Sequence, residues 1–146
     1  MRAAFFWGLC AVSGAALLTG CSGKPTLESS DGWVRLAAVP GRPAAAYFTI
    51  RGGPKPMTLI DVSSDVAIGT EMHEGGMAMK KVDAVPIPAG ATVAFRPGGR
   101  HVMLYHMNPG VKPGRILSLL LTFSDGTRLR QGARVIAAGD PAPTGS

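Results

Sequence analysis

Short apolar runs alternate with glycine- and proline-containing breaks from about residue 32 onwards. Within the runs, β-branched, aromatic and aliphatic residues often alternate with polar ones, which is the period of a strand with one buried face. No stretch keeps apolar residues at helical spacing over three turns without Gly, Pro or β-branched residues interrupting it. The pattern predicts a single all-β domain, a sandwich or barrel, over residues 32–138. Its runs are GWVRLAAV, AAAYFTIRG, MTLIDVSS, MAMKKVDAV, ATVAFRP, HVMLYHM, ILSLLLTFSDG and TRLRQGARVI.

Two breaks between the runs have the composition of tight turns. The segment SDGT, residues 124–127, separates LLLTF from RLRQGARVI and predicts a hairpin. The segment RPGGR, residues 96–100, predicts a second hairpin turn before HVMLYHM. Residues 139–146, GDPAPTGS, have the composition of a disordered tail.

The first twenty residues have the composition of an export signal. Arg2 precedes an apolar run that glycine and serine interrupt, so the run is a poor membrane-spanning helix. The sequence Leu-Thr-Gly-Cys that ends at Cys21 resembles the cleavage box of bacterial lipoproteins. This resemblance implies a lipoprotein signal peptide over residues 1–20, a lipidated Cys21 and a linker over residues 21–31. Ser22 resembles the outer-membrane sorting signal, so we expect a periplasmic domain anchored by lipid to the outer membrane.

Cysteine content and charge narrow the possible functions. The chain has two cysteines, Cys10 in the signal and Cys21 at the anchor, so the mature domain has no thiol for a disulfide. The net charge is +6, but the basic residues are scattered without a run of three, which argues against nucleic-acid binding. No serine lies in a G-x-S-x-G elbow, and no enzyme class is predicted.

Histidine and methionine are concentrated between residues 72 and 107. All three histidines and five of the seven methionines lie there. Either methionine fills an irregular apolar core, or this window binds a soft cation. In a strand over residues 100–107, His101 and Met103 leave the same face, which Tyr105 continues, while His106 points the other way. His101 and Met103 are thus predicted as two ligands of one ion, with His106 a weaker candidate.

The first half of the window contains a tight turn. Gly75-Gly76 permits a reversal of the chain that can bring His73 beside a methionine of the following loop. Glu71 and Glu74 flank His73 and are expected to be solvated, although a carboxylate can also orient a metal-bound imidazole. Imidazole and thioether donors together suit Cu(I), whereas hard ions and zinc favour other sets. A blue-copper centre is excluded because it needs a cysteine ligand.

The spacing of these residues resembles the motif of the periplasmic copper chaperone family called PCu(A)C. That motif runs histidine, a variable gap, methionine, twenty-one residues, histidine, one residue, methionine. Met79 and His101 enclose twenty-one residues, and Met103 follows with one residue between. The resemblance extends through GWVRLAAVPGRPAAAYFTIRG and IPAGATVAFRPGGRHVML. It implies a cupredoxin-like Greek-key β-sandwich with a Cu(I) site of His73, Met79, His101 and Met103.

Several candidates stay open within this resemblance. The usual family gap between the first histidine and the first methionine is ten residues, whereas His73 and Met79 enclose five. Met77 therefore stays an alternative to Met79, although the intact spacing to His101 favours Met79. Met72, Met77 and His106 are possible auxiliary ligands, or else packing and rim residues.

The resemblance also implies a function. It indicates an extracytoplasmic metallochaperone without catalytic activity that carries Cu(I) to a cuproprotein, either a cytochrome oxidase subunit or its assembly factor. Two other functions fit the same residues. A copper-sequestering lipoprotein would hold the metal for tolerance, and a metal-free envelope lipoprotein would bind a protein partner with a methionine-rich surface. Copper binding separates the last function from the first two.

Overall fold

The computed structural model describes residues 23–76 and 78–144. All regular secondary structure in those residues is β-strand. The predicted signal peptide, Cys21 and Met77 lie outside the described residues. The prediction of a single all-β domain is confirmed. In the described part of the chain, no helix has the length and apolar character needed to cross a membrane. The strands are β1 (Glu28–Arg35), β2 (Ala44–Arg51), β3 (Met57–Ser64), β4 (Ala67–Glu74), β5 (Lys80–Lys81), β6 (Val85–Ile87), β7 (Thr92–Phe95), β8 (His101–Met107), β9 (Ile116–Phe123) and β10 (Arg128–Ile136).

The strands follow one continuous hydrogen-bonded order, β5-β4-β8-β2-β1-β10-β9-β3-β6, with β7 also paired to β2. β1 and β10 are parallel, and the other pairs are antiparallel. The path folds back on itself, because β3 near one end lies against β4 near the other. The Thr70 hydroxyl of β4 donates a hydrogen bond to the Val62 carbonyl of β3 across this contact. The result is a β-sandwich whose neighbouring strands are often far apart in sequence, as in Greek-key topologies.

The core between the layers is built mainly from aliphatic and phenylalanine side chains. In β9, three leucines and Phe123 alternate with more exposed residues, and none of the four is more than 7% exposed. Phe48 of β2 stacks on Phe95 of β7 with ring centroids 4.4 Å apart. Burying one such side chain stabilises the fold by about 1.5–3 kcal/mol relative to leaving it in water. Apolar burial therefore supplies the stability of a domain without a disulfide.

The β9–β10 hairpin forms at the predicted SDGT turn. Gly126 has a φ of 87°, and the Thr127 backbone N–H donates a hydrogen bond to the Asp125 carboxylate at 2.9 Å. This hydrogen bond holds the pKa of Asp125 below its usual value. The turn leads directly into the pairing of β9 with β10, which begins at Arg128 opposite Thr122.

The prediction of a second hairpin at residues 96–100 is wrong. Residues 96–100 do turn, with the Arg96 N–H donating to the Arg100 carbonyl at 2.8 Å. The two strands that they join are not paired with each other, because β7 pairs with Phe48–Arg51 of β2 and β8 pairs with Ala44–Ala46 of the same strand. β7 and β8 therefore lie end to end along one edge of β2. The turn interrupts this edge and leads into the first residue of β8.

A small second cluster packs on the outer face of β1 and β2. Trp33 and Tyr47 are paired in register, with ring centroids 4.3 Å apart, and are buried together with Ile136. The Arg35 guanidinium lies 5.3 Å from the Trp33 ring centroid. It also donates hydrogen bonds to the backbone carbonyls of Ala138 and Asp140. The residues that follow β10 are thereby held against β1.

Candidate metal centre

The pairing of β4 with β8 brings two of the three histidines together. In this antiparallel register, His73 lies opposite His101 and Glu71 lies opposite Met103. Residues directly opposite each other share a face of the sheet, so these four side chains form one cluster. The ring centroids of the two histidines are 5.5 Å apart. The register thus places His73 on the face that His101 and Met103 share.

His101 is held by the turn that precedes it. The residue is 8% exposed, and its Nδ1–H donates a hydrogen bond to the Gly99 carbonyl at 2.9 Å. A neutral imidazole carries one ring proton, so this bond leaves the Nε2 lone pair free. Nε2 of His101 is therefore the atom that can ligate a metal ion.

His73 has the opposite arrangement. Its Nε2–H donates to Oε2 of Glu71 at 3.2 Å, while its Nδ1 is buried without a hydrogen-bond partner. Among the described residues, the other such side-chain atom is Oε1 of Gln131. An unpaired buried polar group costs about 1–3 kcal/mol, so native proteins seldom keep one without a reason. A bound ion that takes up the Nδ1 lone pair would remove this cost.

Glu71 is the centre of a hydrogen-bond network beside the histidines. Its Oε2 also accepts from the Tyr105 hydroxyl at 3.1 Å, and its Oε1 accepts from the Lys81 ammonium at 3.0 Å. The hydrogen bonds from Lys81 and then His73 hold the pKa of Glu71 below its ordinary value, so the carboxylate is charged at neutral pH. Burial, and then the hydrogen bond to Glu71, raise the pKa of Tyr105. Its hydroxyl therefore keeps its proton and stays a donor.

The two candidate methionine ligands have different surroundings. Met103 is half-buried and lies two residues along β8 from His101. Met79 is 47% exposed, has a φ of 35° and directly precedes β5, whose Lys81 lies opposite His73. The structure thus places Met103 in the histidine cluster and Met79 on the adjoining loop.

Two of the predicted auxiliary residues lie away from this cluster. Met72 is 5% exposed and packs in the hydrophobic core, on the opposite face of β4. His106 is exposed, has a φ of 50° and lines a cleft of about 720 Å³ at the far end of β8. Within residues 23–76 and 78–144, no group of three or more His, Cys, Asp or Glu side chains is arranged to hold a metal ion. The thioether of Met103 lies on the same face of the sheet as the two imidazoles.

Sequence reasoning missed the partners of Glu71. Alternation along β8 places Tyr105 on the face of His101, but it gives no acceptor for the hydroxyl. Lys81 can be found only from the pairing of β5 with β4, and β5 has two residues, too few for any periodicity. Glu71 itself carries a weak signal, because residues two apart in a strand share a face. Glu74, by contrast, pairs with Arg100 at 2.9 Å.

The fold and the cluster define a class of protein, a β-sandwich domain that carries two imidazoles with free ring nitrogens and a thioether on adjacent strands. The chain belongs to the family described as "Putative lipoprotein LpqE-like", whose model matches residues 27–135. "Putative lipoprotein Lxx21020" of Leifsonia xyli subsp. xyli (strain CTCB07) is 30% identical over 128 residues, which cover 75% of this chain and 76% of that protein. "Uncharacterized protein RP573" of Rickettsia prowazekii (strain Madrid E) is 35% identical over 92 residues, which cover 58% of this chain and 51% of that protein.

Solved structures share the fold. The copper-bound PCuAC domain from PmoF2 has a TM-score of 0.67 and 22% identity, and the match covers 79% of this chain and 96% of that domain. The solution structure of Cu(I)-DR1885 from Deinococcus radiodurans has a TM-score of 0.64 and 28% identity, and the match covers 82% of this chain and 84% of that one. The resemblance to the PCu(A)C family and the β-sandwich that it implies are confirmed.

Proposed function

We propose that this domain is an extracytoplasmic Cu(I)-binding metallochaperone whose ligands are His73, Met79, His101 and Met103. The observation that carries the proposal is the buried, unpartnered Nδ1 of His73 beside a second imidazole whose Nε2 is also free. The motif spacing supports the same four residues. Two solved structures of the same fold are copper-bound forms, which supports copper as the ion.

The donor types fit Cu(I) better than a harder ion. Thioether sulfur is soft and needs no deprotonation, and imidazole binds copper as a neutral ligand. The nearest carboxylate, Glu71, is already engaged by three hydrogen-bond donors. Calcium and magnesium need several oxygen ligands, and the cluster offers none that is free.

Release of the ion to a partner follows from the unequal exposure of the ligands. Met79 is nearly half exposed on its loop, whereas His101 is buried. A sulfur ligand of an acceptor can approach from the Met79 side and bind before the imidazoles dissociate. The acceptor that we propose is a cuproprotein, either a cytochrome oxidase subunit or its assembly factor. The domain then transfers its cargo by ligand exchange, without a catalytic step.

We also propose that acylated Cys21 anchors the domain to a membrane from the periplasmic side, with the outer membrane as the site. The lipoprotein descriptions of the family and of the Leifsonia relative support such an anchor. Each buried methylene of a lipid chain adds about 0.8 kcal/mol, so several chains hold a soluble domain at the surface. The short segment between Cys21 and β1 then keeps the domain close to the bilayer.

Cu(I) titration and X-ray absorption of the purified mature protein test the site. We expect one Cu(I) per monomer, with copper–sulfur and copper–nitrogen scattering in the same spectrum. His101→Ala should lose most of the affinity. His106→Ala is the matched control, because it removes a histidine of the same strand that lies outside the cluster. A spectrum without sulfur, or equal losses in the two variants, would contradict the proposed ligands.

Delivery and sequestration differ in what happens after binding. The Cu(I)-loaded protein is mixed with an oxidase domain whose dinuclear copper site is empty. Copper on each protein is measured after separation. A chaperone should lose its copper at a rate that rises with acceptor concentration, as ligand exchange requires. A buffer should keep its copper. Failure of the parent protein to bind Cu(I) at all would favour the metal-free interaction lipoprotein.

A further inference from the structure

We infer that Glu71 is a positioning residue that fixes the tautomer of His73, so that Cu(I) is bound by Nδ1 of His73 and by Nε2 of His101. The inference rests on the copper-binding function proposed above and concerns a residue that does not itself contact the ion. It assigns chemically different nitrogen atoms to the two imidazole ligands.

The Glu71 carboxylate is fixed from three strands. His73 reaches it from two residues along β4, Tyr105 from β8 and Lys81 from β5. A charged carboxylate has only acceptor sites, and a lysine ammonium has only donors. Because the Lys81 ammonium and the Tyr105 hydroxyl both donate to Glu71, the carboxylate acts as an acceptor, and the ring nitrogen that faces it must carry a proton. This proton is on Nε2 of His73.

The two histidines therefore have opposite tautomers. The proton on Nε2 of His73 leaves Nδ1 as its lone pair, and this is the buried atom without a protein partner. At His101, the acceptor is the Gly99 carbonyl and the protonated atom is Nδ1. Exchanging either tautomer would place a nitrogen lone pair against an acceptor oxygen, which is repulsive. One carboxylate and one carbonyl thus select which nitrogen of each ring is free.

The charged Glu71 carboxylate has a stronger effect on its imidazole than the neutral Gly99 carbonyl has on the other. Hydrogen bonds to an ionised group are about twice as strong as neutral ones, and they make a ligating imidazole more basic. Glu71 also holds Lys81, which follows Met79 by two residues. The same carboxylate therefore orients one imidazole and holds the strand next to the loop methionine. Loss of such a partner typically lowers metal affinity about 10–100-fold.

Nitrogen-15 NMR of the histidine rings tests the inference, because the shift of each ring nitrogen reports whether it carries a proton. In copper-free mature protein at about pH 8, where imidazoles are neutral, we expect a protonated Nε2 on His73 and a protonated Nδ1 on His101. In Glu71→Gln, the amide can present its oxygen or its NH₂ to the ring. We expect His73 to populate both tautomers and Cu(I) affinity to fall about 10–100-fold.

Glu74→Gln is the matched control, since Glu74 lies on the same strand but pairs with Arg100. It should change neither the ring shifts nor the affinity. Tyr105→Phe removes one donor and should shift both readouts in the direction of Glu71→Gln, by a smaller amount. A protonated Nδ1 on His73 in the parent overturns the inference, as does a Glu71→Gln variant with unchanged shifts and affinity. If the parent binds no Cu(I), the proposed function is wrong, whereas the tautomer assignment is still decided by the shifts of the copper-free protein.

Discussion

Acidification should release Cu(I) with a proton dependence set by the number of imidazole ligands. The proposed site has two, with free nitrogens at Nδ1 of His73 and Nε2 of His101. A proton on either nitrogen removes the lone pair that the metal needs, whereas thioether sulfur does not titrate in this range. Protons therefore compete with Cu(I) for both nitrogens, and binding should weaken as the pH falls.

The magnitude follows from counting protons. Once both imidazoles are protonated in the free protein, binding one Cu(I) displaces two protons, so the affinity falls about 100-fold, or about 2.7 kcal/mol, per pH unit. Glu71 adds no third proton in this range, because Lys81 and His73 hold its pKa below the ordinary value. The pKa of Tyr105 is raised, so its hydroxyl keeps its proton throughout. The limiting slope is therefore about two protons per copper.

His101→Met is the informative perturbation. Methionine keeps a soft donor opposite His73 but removes one titrating ligand. We expect weaker Cu(I) binding whose slope drops to about one proton, or about 10-fold per pH unit. The assay is a competition titration against a chelator with known proton linkage, from about pH 7.5 to about pH 5. His106→Met serves as the control and should keep the parental slope.

Two results would refute this reasoning. A parent protein without proton dependence would mean that imidazoles do not ligate the ion. A slope of about two that survives in His101→Met would mean that another group releases the second proton. In that case, the buried His101 ring and its bond to the Gly99 carbonyl would be structural features only.

Three further substitutions have different expected outcomes. Met103→Ala should weaken Cu(I) binding at every pH without changing the slope, and a changed slope in the same titration would contradict its assignment as a non-titrating ligand. Cys21→Ala should move the protein from the membrane fraction to the soluble fraction on fractionation, with unchanged Cu(I) affinity, and loss of binding by the folded variant would disprove a pure anchor role. Gly32→Ala should lower the free energy of unfolding in urea by about 1–3 kcal/mol, because the new Cβ would collide with the carbonyl oxygen of Gly132. Gly139→Ala, whose Cβ meets no atom within 4 Å, should be near neutral, and equal effects of the two glycine variants would argue against the collision.

Most strand positions could be predicted from the sequence because the signals are local, but β4, which none of the predicted apolar runs covers, was missed. Alternation marks a half-buried strand, and the SDGT turn sets the β9–β10 hairpin within four residues. Pairing between distant strands has no such local signal. The same glycine-rich composition can close a hairpin or interrupt an edge, and at residues 96–100 it interrupts the edge formed by β7 and β8. The eight residues of β2 are long enough to pair with both strands in turn, which no property of the turn itself reveals.

The candidate site depends even more on pairing between strands that are distant in sequence. The shared face of His101 and Met103 is local, since the residues are two apart in one strand. His73 joins that face only through the register of β4 against β8, and a slip of one residue would exchange the two faces of β4. Burial selects the register that is observed, because Met72 packs in the core opposite Val102, and these residues are 5% and 0% exposed. With Met72 directed inward, its neighbours in β4 must face outward, and both Glu71 and His73 then lie beside the second imidazole. The geometry of the cluster is therefore set by apolar packing on the opposite side of the strand.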